Sequence, residues 1–402
     1  MGPGTFRFRG PFHHTQHHKG DTSLMTTVAS ADGAWTTERL TALADSSLNT
    51  IVSLQDPSGA YPASPTFSAY RGYSWFRDGA FIADGVSAYG DAASATRFHD
   101  WCSRILVARR GQIATIVSRA EAGDPVADSE MLPTRFTFAG DEGSDEWWDF
   151  QLDGYGTWLW AVVEHAHRHS LGLAPWRDAM ALATDYLLSS WQRPCFDWWE
   201  ERADEVHVST LGCIAAGLRA AEASGALDEH RAASASHAVI EITALIVSEG
   251  LVDGSLAKWL GSSAVDASLA SVVAPLAVFP ATSPIGLATV AAIDSQLNVD
   301  GGVHRYLADT FFGGGQWPLL SCMLGLAFAA AGDRDRALAQ LHWAASTANA
   351  ELEMPEQVDR HLLDPSFRQE WIERWGTIAT PLLWTHAMYL RLAAELGIGG
   401  AR

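Results

Sequence analysis

The segments GDAASATRFHDW (90–101) and GDRDRALAQLHW (332–343) place Gly, Asp, Ala and Trp at the same offsets, although most of the chain lies between them. Glycine followed by aspartate ahead of an apolar stripe reads as a tight turn that opens a helix. Asp91 and Asp333 would each cap the helix that follows, and Trp101 and Trp343 would pack further along it. The echo marks a helix-pair unit used more than once.

Beyond these turns, apolar residues recur at helical intervals. Leu383, Ala387, Leu390 and Ala394 share one face, as do Leu338, Leu341 and Ala345, while period-two alternation is scarce. The pattern predicts an all-α chain of twelve helices, near 35–56, 78–89, 91–117, 153–170, 175–190, 205–223, 228–249, 266–278, 284–297, 318–331, 333–348 and 378–396. Connections after the even-numbered helices are short and rich in breakers, among them Gly90-Asp91 and Gly332-Asp333. Those after the odd-numbered helices are long, near 57–77, 118–152, 191–204, 250–265, 298–317 and 349–377. Six hairpins closed into a ring, an (α/α)6 barrel, would gather every long connection, and any catalytic loops, at one end. An open superhelix of helix pairs is the competing arrangement.

A chain of 402 residues with 48% apolar content can bury a large core, and a formal charge of -20 disfavours nucleic acid and anionic membranes as partners. No apolar run reaches the roughly 20 residues that cross a bilayer. Cys102, Cys195, Cys213 and Cys322 show neither a CxxC pair nor zinc spacing, and no secretory h-region precedes them, so free thiols in a reducing cytoplasm are expected. Residues 1–24 carry Gly, Pro, Arg and His without periodicity. They read as a disordered leader or tag-like segment, in which His13, His14, His17 and His18 are more simply tail residues than metal ligands. Residues 25–402 would form a single domain.

The long connections hold more than half of the seventeen tryptophans, among them Trp75, Trp147, Trp148, Trp198, Trp199, Trp259, Trp317, Trp371 and Trp375. Several sit beside Arg, Asp, Gln or Glu. Flat apolar rings next to paired donors and acceptors describe a sugar pocket. In CFDWWEER (195–202), two adjacent carboxylates stand against two indoles. Those neighbours would keep Glu200 dry, Glu201 would add like charge, and both effects raise a pKa toward that of a general acid. Asp197 reads as a cap of the local backbone. In MPEQVDR (354–360), Glu356 follows a proline and is the candidate general base. An inverting glycosidase needs such a pair, one carboxyl protonated and one ionised, with room for a water between.

At this point YSWFRDGAF (73–81), FQLDGYGTWLW (150–160), DWWEER (197–202), VHRYLADTFFGGGQW (303–317), MPEQVD (354–359) and ATPLLWTHAMYL (379–390) together resemble the motifs of glycoside hydrolase family 15. That is the glucoamylase and glucodextranase family of inverting exo-glucosidases, built on an (α/α)6 barrel, and the resemblance covers about 35–397. It implies that Arg77 and Asp78 grip the terminal glucose, that Trp75, Trp147 and Trp199 wall the pocket, and that Gln151 and Asp153 support its floor. It implies Glu200 as general acid, Glu201 reaching the sugar on the leaving side, Arg305 bridging two sugars, Trp317 flanking the acceptor site and Glu356 holding the water. No metal or organic cofactor is implied.

The fungal members place an aromatic four residues before the tryptophan of the RD loop. Arg71 occupies that position here, and Tyr70 or Tyr73 would replace the aromatic. A barrel with only a short segment between Met25 and its first helix suits short oligosaccharides. The chain is similar in this to the actinobacterial isomaltose glucohydrolase branch, which implies α-1,6 linkages. An α-1,4-acting glucoamylase or a trehalase would use the same two glutamates. A sugar epimerase on such a barrel would need His207 and His386 as proton shuttles, and a non-catalytic carbohydrate-binding toroid would need neither glutamate.

Overall fold

The computed structural model describes residues 35–400, except 146 and 148. The leader at 1–24, with its four histidines, and Trp148 lie outside the described residues. Among the latter there are fourteen α-helices: α1 (Thr37–Leu54), α2 (Phe76–Tyr89), α3 (Ala92–Ala108), α4 (Arg110–Glu121), α5 (Asp153–Arg168), α6 (Arg177–Ser190), α7 (Val208–Ala223), α8 (Glu229–Glu249), α9 (Leu269–Val273), α10 (Pro284–Leu297), α11 (Pro318–Ala330), α12 (Arg334–Ala345), α13 (Ser366–Trp375) and α14 (Leu383–Glu395).

Six of them form a closed inner ring: α14 packs on α2, α2 on α5, α5 on α7, α7 on α9, α9 on α11, and α11 on α14. Each inner helix is preceded in the chain by an outer one, α1, α3, α6, α8, α10 or α12. This is the (α/α)6 barrel, and the closure excludes an open superhelix. Inner helices are buried on nearly every side, most fully in α11, where every residue from Pro318 to Phe328 is buried. Each buried Leu or Phe contributes about 1.5–3 kcal/mol relative to exposure. Close approach is also written in glycine: a Cβ on Gly217 of α7 would lie 2.2 Å from the Gly156 carbonyl of α5.

The repeated turn behaves as expected. Asp91 accepts from the Ser94 amide at 2.9 Å and Asp333 from the Arg336 amide at 3.1 Å, capping α3 and α12. Trp101 is buried in the core and Trp343 packs over Gly301 and Gly302.

The structure differs from the predicted helices in three places. The segment at 91–117 is two helices, because Arg109 leaves helical geometry where its guanidinium stacks on Phe136 and donates to the Gly140 carbonyl. The segment at 266–278 shrinks to the five residues of α9: Pro275 restricts Ala274, which turns extended. In the long connection at 349–377, α13 is an additional helix. None of its residues is buried, so no core-facing stripe announced it.

Short strands also occupy the long connections. β1 (Tyr73–Trp75) pairs antiparallel with β2 (Arg135–Thr137), setting Trp75 opposite Arg135. β3 (Leu251–Val252) with β4 (Ser255–Leu256), and β5 (Asn298–Val299) with β6 (Gly302–Val303), are tight hairpins. Their turns are Asp253-Gly254 and Asp300-Gly301, all four at positive φ, the geometry that favours Asp-Gly in two-residue hairpin loops. They give rigid bases to the connections that carry Lys258 and Arg305.

Candidate active site

The long connections meet over one end of the inner ring and enclose a pocket. Ten of the twelve site residues expected from sequence line it: Trp75, Arg77, Asp78, Trp147, Trp199, Glu200, Glu201, Arg305, Trp317 and Glu356. Gln151 and Asp153 are instead buried beneath it, where both accept from the same Arg77 nitrogen, at 2.6 and 2.9 Å. They hold the guanidinium in place. Asp78, 3.6 Å from Arg77 across the ion pair, is pushed up to about 7, chiefly by burial against the pull of that arginine.

Glu200 is carried by a tight turn built on Asp197. One Asp197 carboxylate oxygen accepts from the Trp199 and Glu201 amides, both at 2.9 Å, and its carbonyl accepts from the Glu200 amide at 3.0 Å. Asp197 is therefore a backbone cap, as its position in the motif suggested. The turn holds Glu200 at φ 64°, a left-handed conformation that a β-carbon disfavours and that a surrounding structure must enforce.

The Glu200 pKa is raised by burial, as expected, but its hydrogen-bond partners come from distant connections. The indoles that reach it are Trp75 and Trp147, not its neighbours Trp198 and Trp199. Each donates its ring N–H to Oε1 at 3.0 Å, and Gln151 donates at 3.3 Å. These bonds and Arg77 favour the ionised form and offset part of the burial. Glu201 is directed elsewhere: it accepts from the Tyr306 hydroxyl at 2.5 Å and faces Arg305 at 3.7 Å.

Glu356 approaches from the far connection. Its amide donates to the Ala379 carbonyl at 2.9 Å, and the preceding residues are tied to α14 through Met354 to His386 and Thr385 to the Pro355 carbonyl. Its side chain is buried and pushed up to about 7, mainly by desolvation, while the Tyr70 hydroxyl donates to it at 2.8 Å and pulls the other way. Of the two tyrosines offered as replacements for the missing aromatic, Tyr70 is the one that reaches the site. Tyr73 donates to Asp145 and stacks on Arg135.

Arg305 is buried in a bidentate pair with Asp309, its guanidinium 5.4 Å from the Trp317 ring and 5.1 Å from that of Trp199. Trp371 and Trp375 line the pocket from α13, and Trp384 joins them from α14, while Trp259 stays outside against His207. His207 and His386 do not line the pocket. His386 is buried between the Met354 amide and the Ser47 hydroxyl, and His207 bonds to the Arg202 carbonyl, so neither can shuttle a proton to a ligand there. Among the described residues no group of His, Cys, Asp and Glu is placed to hold a metal. All four cysteines are buried and unpaired.

Sequence reading missed the second layer behind the Glu200 turn: Lys258, Asp266, Tyr306 and Asp309. Lys258 alone carried a signal, since the chain contains only one other lysine, Lys19.

Comparison with known proteins agrees with this geometry. The model of the glycosyl hydrolases family 15 matches residues 37–394. The chain is 54% identical over 380 residues to an isomaltose glucohydrolase of Kribbella flavida, covering 93% of this chain and 98% of that one. A glycosidase of solved structure, also determined as a glutamate-to-alanine variant in complex with glucose, superposes with a TM-score of 0.88 at 54% identity, over 90% of this chain and 98% of its own. A family 15 glucoamylase from Hypocrea jecorina shares the fold at a TM-score of 0.66 and 16% identity, over 90% and 72% of the two chains.

Proposed function

The chain belongs to glycoside hydrolase family 15, and on that premise we propose that it is an inverting exo-α-glucosidase releasing β-glucose from the non-reducing end of short α-1,6-linked glucosides such as isomaltose. The observation that carries this reading is the meeting of Glu200 and Glu356 in one pocket from separate connections, each with a carboxyl raised by burial. The α-1,6 preference is supported by the identity to the isomaltose glucohydrolase.

In this mechanism Arg77 and Asp78 bind the hydroxyls of the terminal glucose against the aromatic walls. Protonated Glu200 gives its proton to the glycosidic oxygen as the bond from C1 breaks. Ionised Glu356 takes a proton from a water that attacks C1 on the opposite face, so the configuration inverts. Tyr70 orients the Glu356 carboxylate, and Glu201 with Arg305 meets the departing sugar.

Initial rates on isomaltose, maltose and trehalose, with anomer-resolved NMR of the first product, test the proposal. Isomaltose should be hydrolysed fastest and β-glucose should appear first. An α product would exclude inversion, and faster cleavage of maltose or trehalose would replace the linkage assignment. Glu200→Gln and Glu356→Gln should each lower turnover about 10²- to 10⁴-fold while the substrate still binds. A non-catalytic carbohydrate-binding protein would show no turnover to lose.

A further inference from the structure

The chain uses arginine almost everywhere it needs a fixed positive charge: twenty-five arginines stand against two lysines. Lys19 lies outside the described residues, so Lys258 supplies the single ammonium among them, and it is 4% exposed. It does not line the pocket. It sits just beyond the β3–β4 hairpin, its amide bonded to the Ala264 carbonyl and its carbonyl to the Val208 amide at the start of α7.

Its ammonium group touches three supports of the site. It donates to Asp266 at 2.6 Å, lies 3.2 Å from Asp197, and stands 3.6 Å from the centroid of the Tyr306 ring. Each contact leads to one pocket residue or more. Asp197 binds the Trp199 and Glu201 amides and so shapes the turn that holds Glu200 at positive φ. Asp266 accepts the Trp199 indole N–H at 2.9 Å and the Ser268 amide. Tyr306 donates its hydroxyl to Glu201. An ammonium is a compact charge with three rotatable donors, able to serve two carboxylates and a ring face at once. A planar guanidinium fork is larger and directional. Asp197 and Asp266 are both buried, so without a cation between them two desolvated carboxylates would repel, and the strain would fall on the turn that Asp197 shapes.

We propose that Lys258 is a positioning residue of the hydrolysis: by clamping Asp197, Asp266 and Tyr306 together it fixes the turn that presents Glu200, and with it Trp199 and Glu201. This deepens the reading given above and rests on Glu200 as the general acid. The terminal glucose is gripped chiefly by Arg77, which Gln151 and Asp153 hold independently of the lysine, so a shift of Trp199 on the wall should weaken glucose far less than it slows turnover.

The test is Lys258→Met, with kcat on isomaltose and the competitive inhibition constant of glucose measured together. A fall in kcat of at least tenfold with the glucose constant unchanged within threefold is the expected result. A smaller fall, or a parallel loss of glucose binding, overturns the proposal. Where Lys258→Met folds poorly, the double variant Lys258→Met/Asp266→Asn removes one stranded charge. It should regain thermal stability but remain at least tenfold slow; recovery of both properties would reduce Lys258 to a counter-charge and overturn the proposal.

The wild-type enzyme offers a check that needs no variant. Labelling with lysine carrying 13C at Cε gives two signals, and that of Lys258 should be shifted by the Tyr306 ring and show no deprotonation up to pH 10. An unshifted or titrating signal overturns the clamp. Glu200→Gln separates this inference from its premise: retained turnover in that variant removes the acid assignment, whereas a dead Glu200→Gln beside a normal Lys258→Met removes only the role of the lysine.

Discussion

Tyr70 donates its hydroxyl to Glu356 at 2.8 Å, joining the connection after α1 to the connection after α12. That bond stabilises the ionised carboxylate, the form a base needs, against a burial that pushes the group up to about 7. In Tyr70→Phe the opposing pull is lost and the Glu356 carboxyl rises further. Since the base works ionised, the acidic limb of the kcat/KM profile should move to higher pH, with turnover near neutrality lower by about tenfold, the scale of one hydrogen bond to a charged group. A pH-rate profile checks it. An unmoved acidic limb would mean that Glu356 is not the group titrating there.

Trp147 makes the converse prediction at the other carboxyl. Its indole N–H favours ionised Glu200, the form that cannot act as an acid. Trp147→Phe keeps an aromatic ring against Arg135, whose guanidinium lies 3.9 Å from it, but removes the donor. The Glu200 carboxyl should then rise, and the basic limb of kcat/KM should move to higher pH. Movement to lower pH would contradict the assignment of Glu200 as the proton donor.

The raised Glu356 also has a thermodynamic signature. Its pKa is higher folded than unfolded, so the stabilisation it gives is complete below its unfolded value near 4.5 and is lost as pH rises through about 7. Glu356→Gln has no such loss. The variant should therefore gain stability over the wild type as pH increases from 4.5 to 7, by on the order of 3 kcal/mol across that window. Thermal melts at several pH values measure it. A gap that narrows toward neutral pH would show that the carboxyl is not raised in the folded protein.

Much of this molecule was legible in its sequence because the inner helices are buried on nearly every side and the turns between hairpins are short and rich in breakers, two of them Gly-Asp caps. The site was legible for a different reason: glutamates, arginines and tryptophans crowd connections that would otherwise be solvated. What stayed hidden depends on distance. Nothing near Glu200 in sequence reveals that Trp75 and Trp147, rather than the adjacent Trp198 and Trp199, supply its donors. Lys258 stands out in the sequence only as a rare lysine, and Asp266 only as the first residue of a predicted helix, until the fold buries them together. α13 escaped notice because its Trp371 and Trp375 face a pocket, so no apolar stripe turns toward a core. The brevity of α9 was visible in Pro275, which the periodicity alone passed over.

Ring closure carries an evolutionary corollary. A solenoid can gain or shed a unit at either free end, but here each inner helix has an inner neighbour on both sides. Removing or duplicating one hairpin would open a seam through the core, so inheritable novelty in such a scaffold is steered away from unit number and into the crown of connections, where a few altered side chains can retune sugar preference without touching the staves.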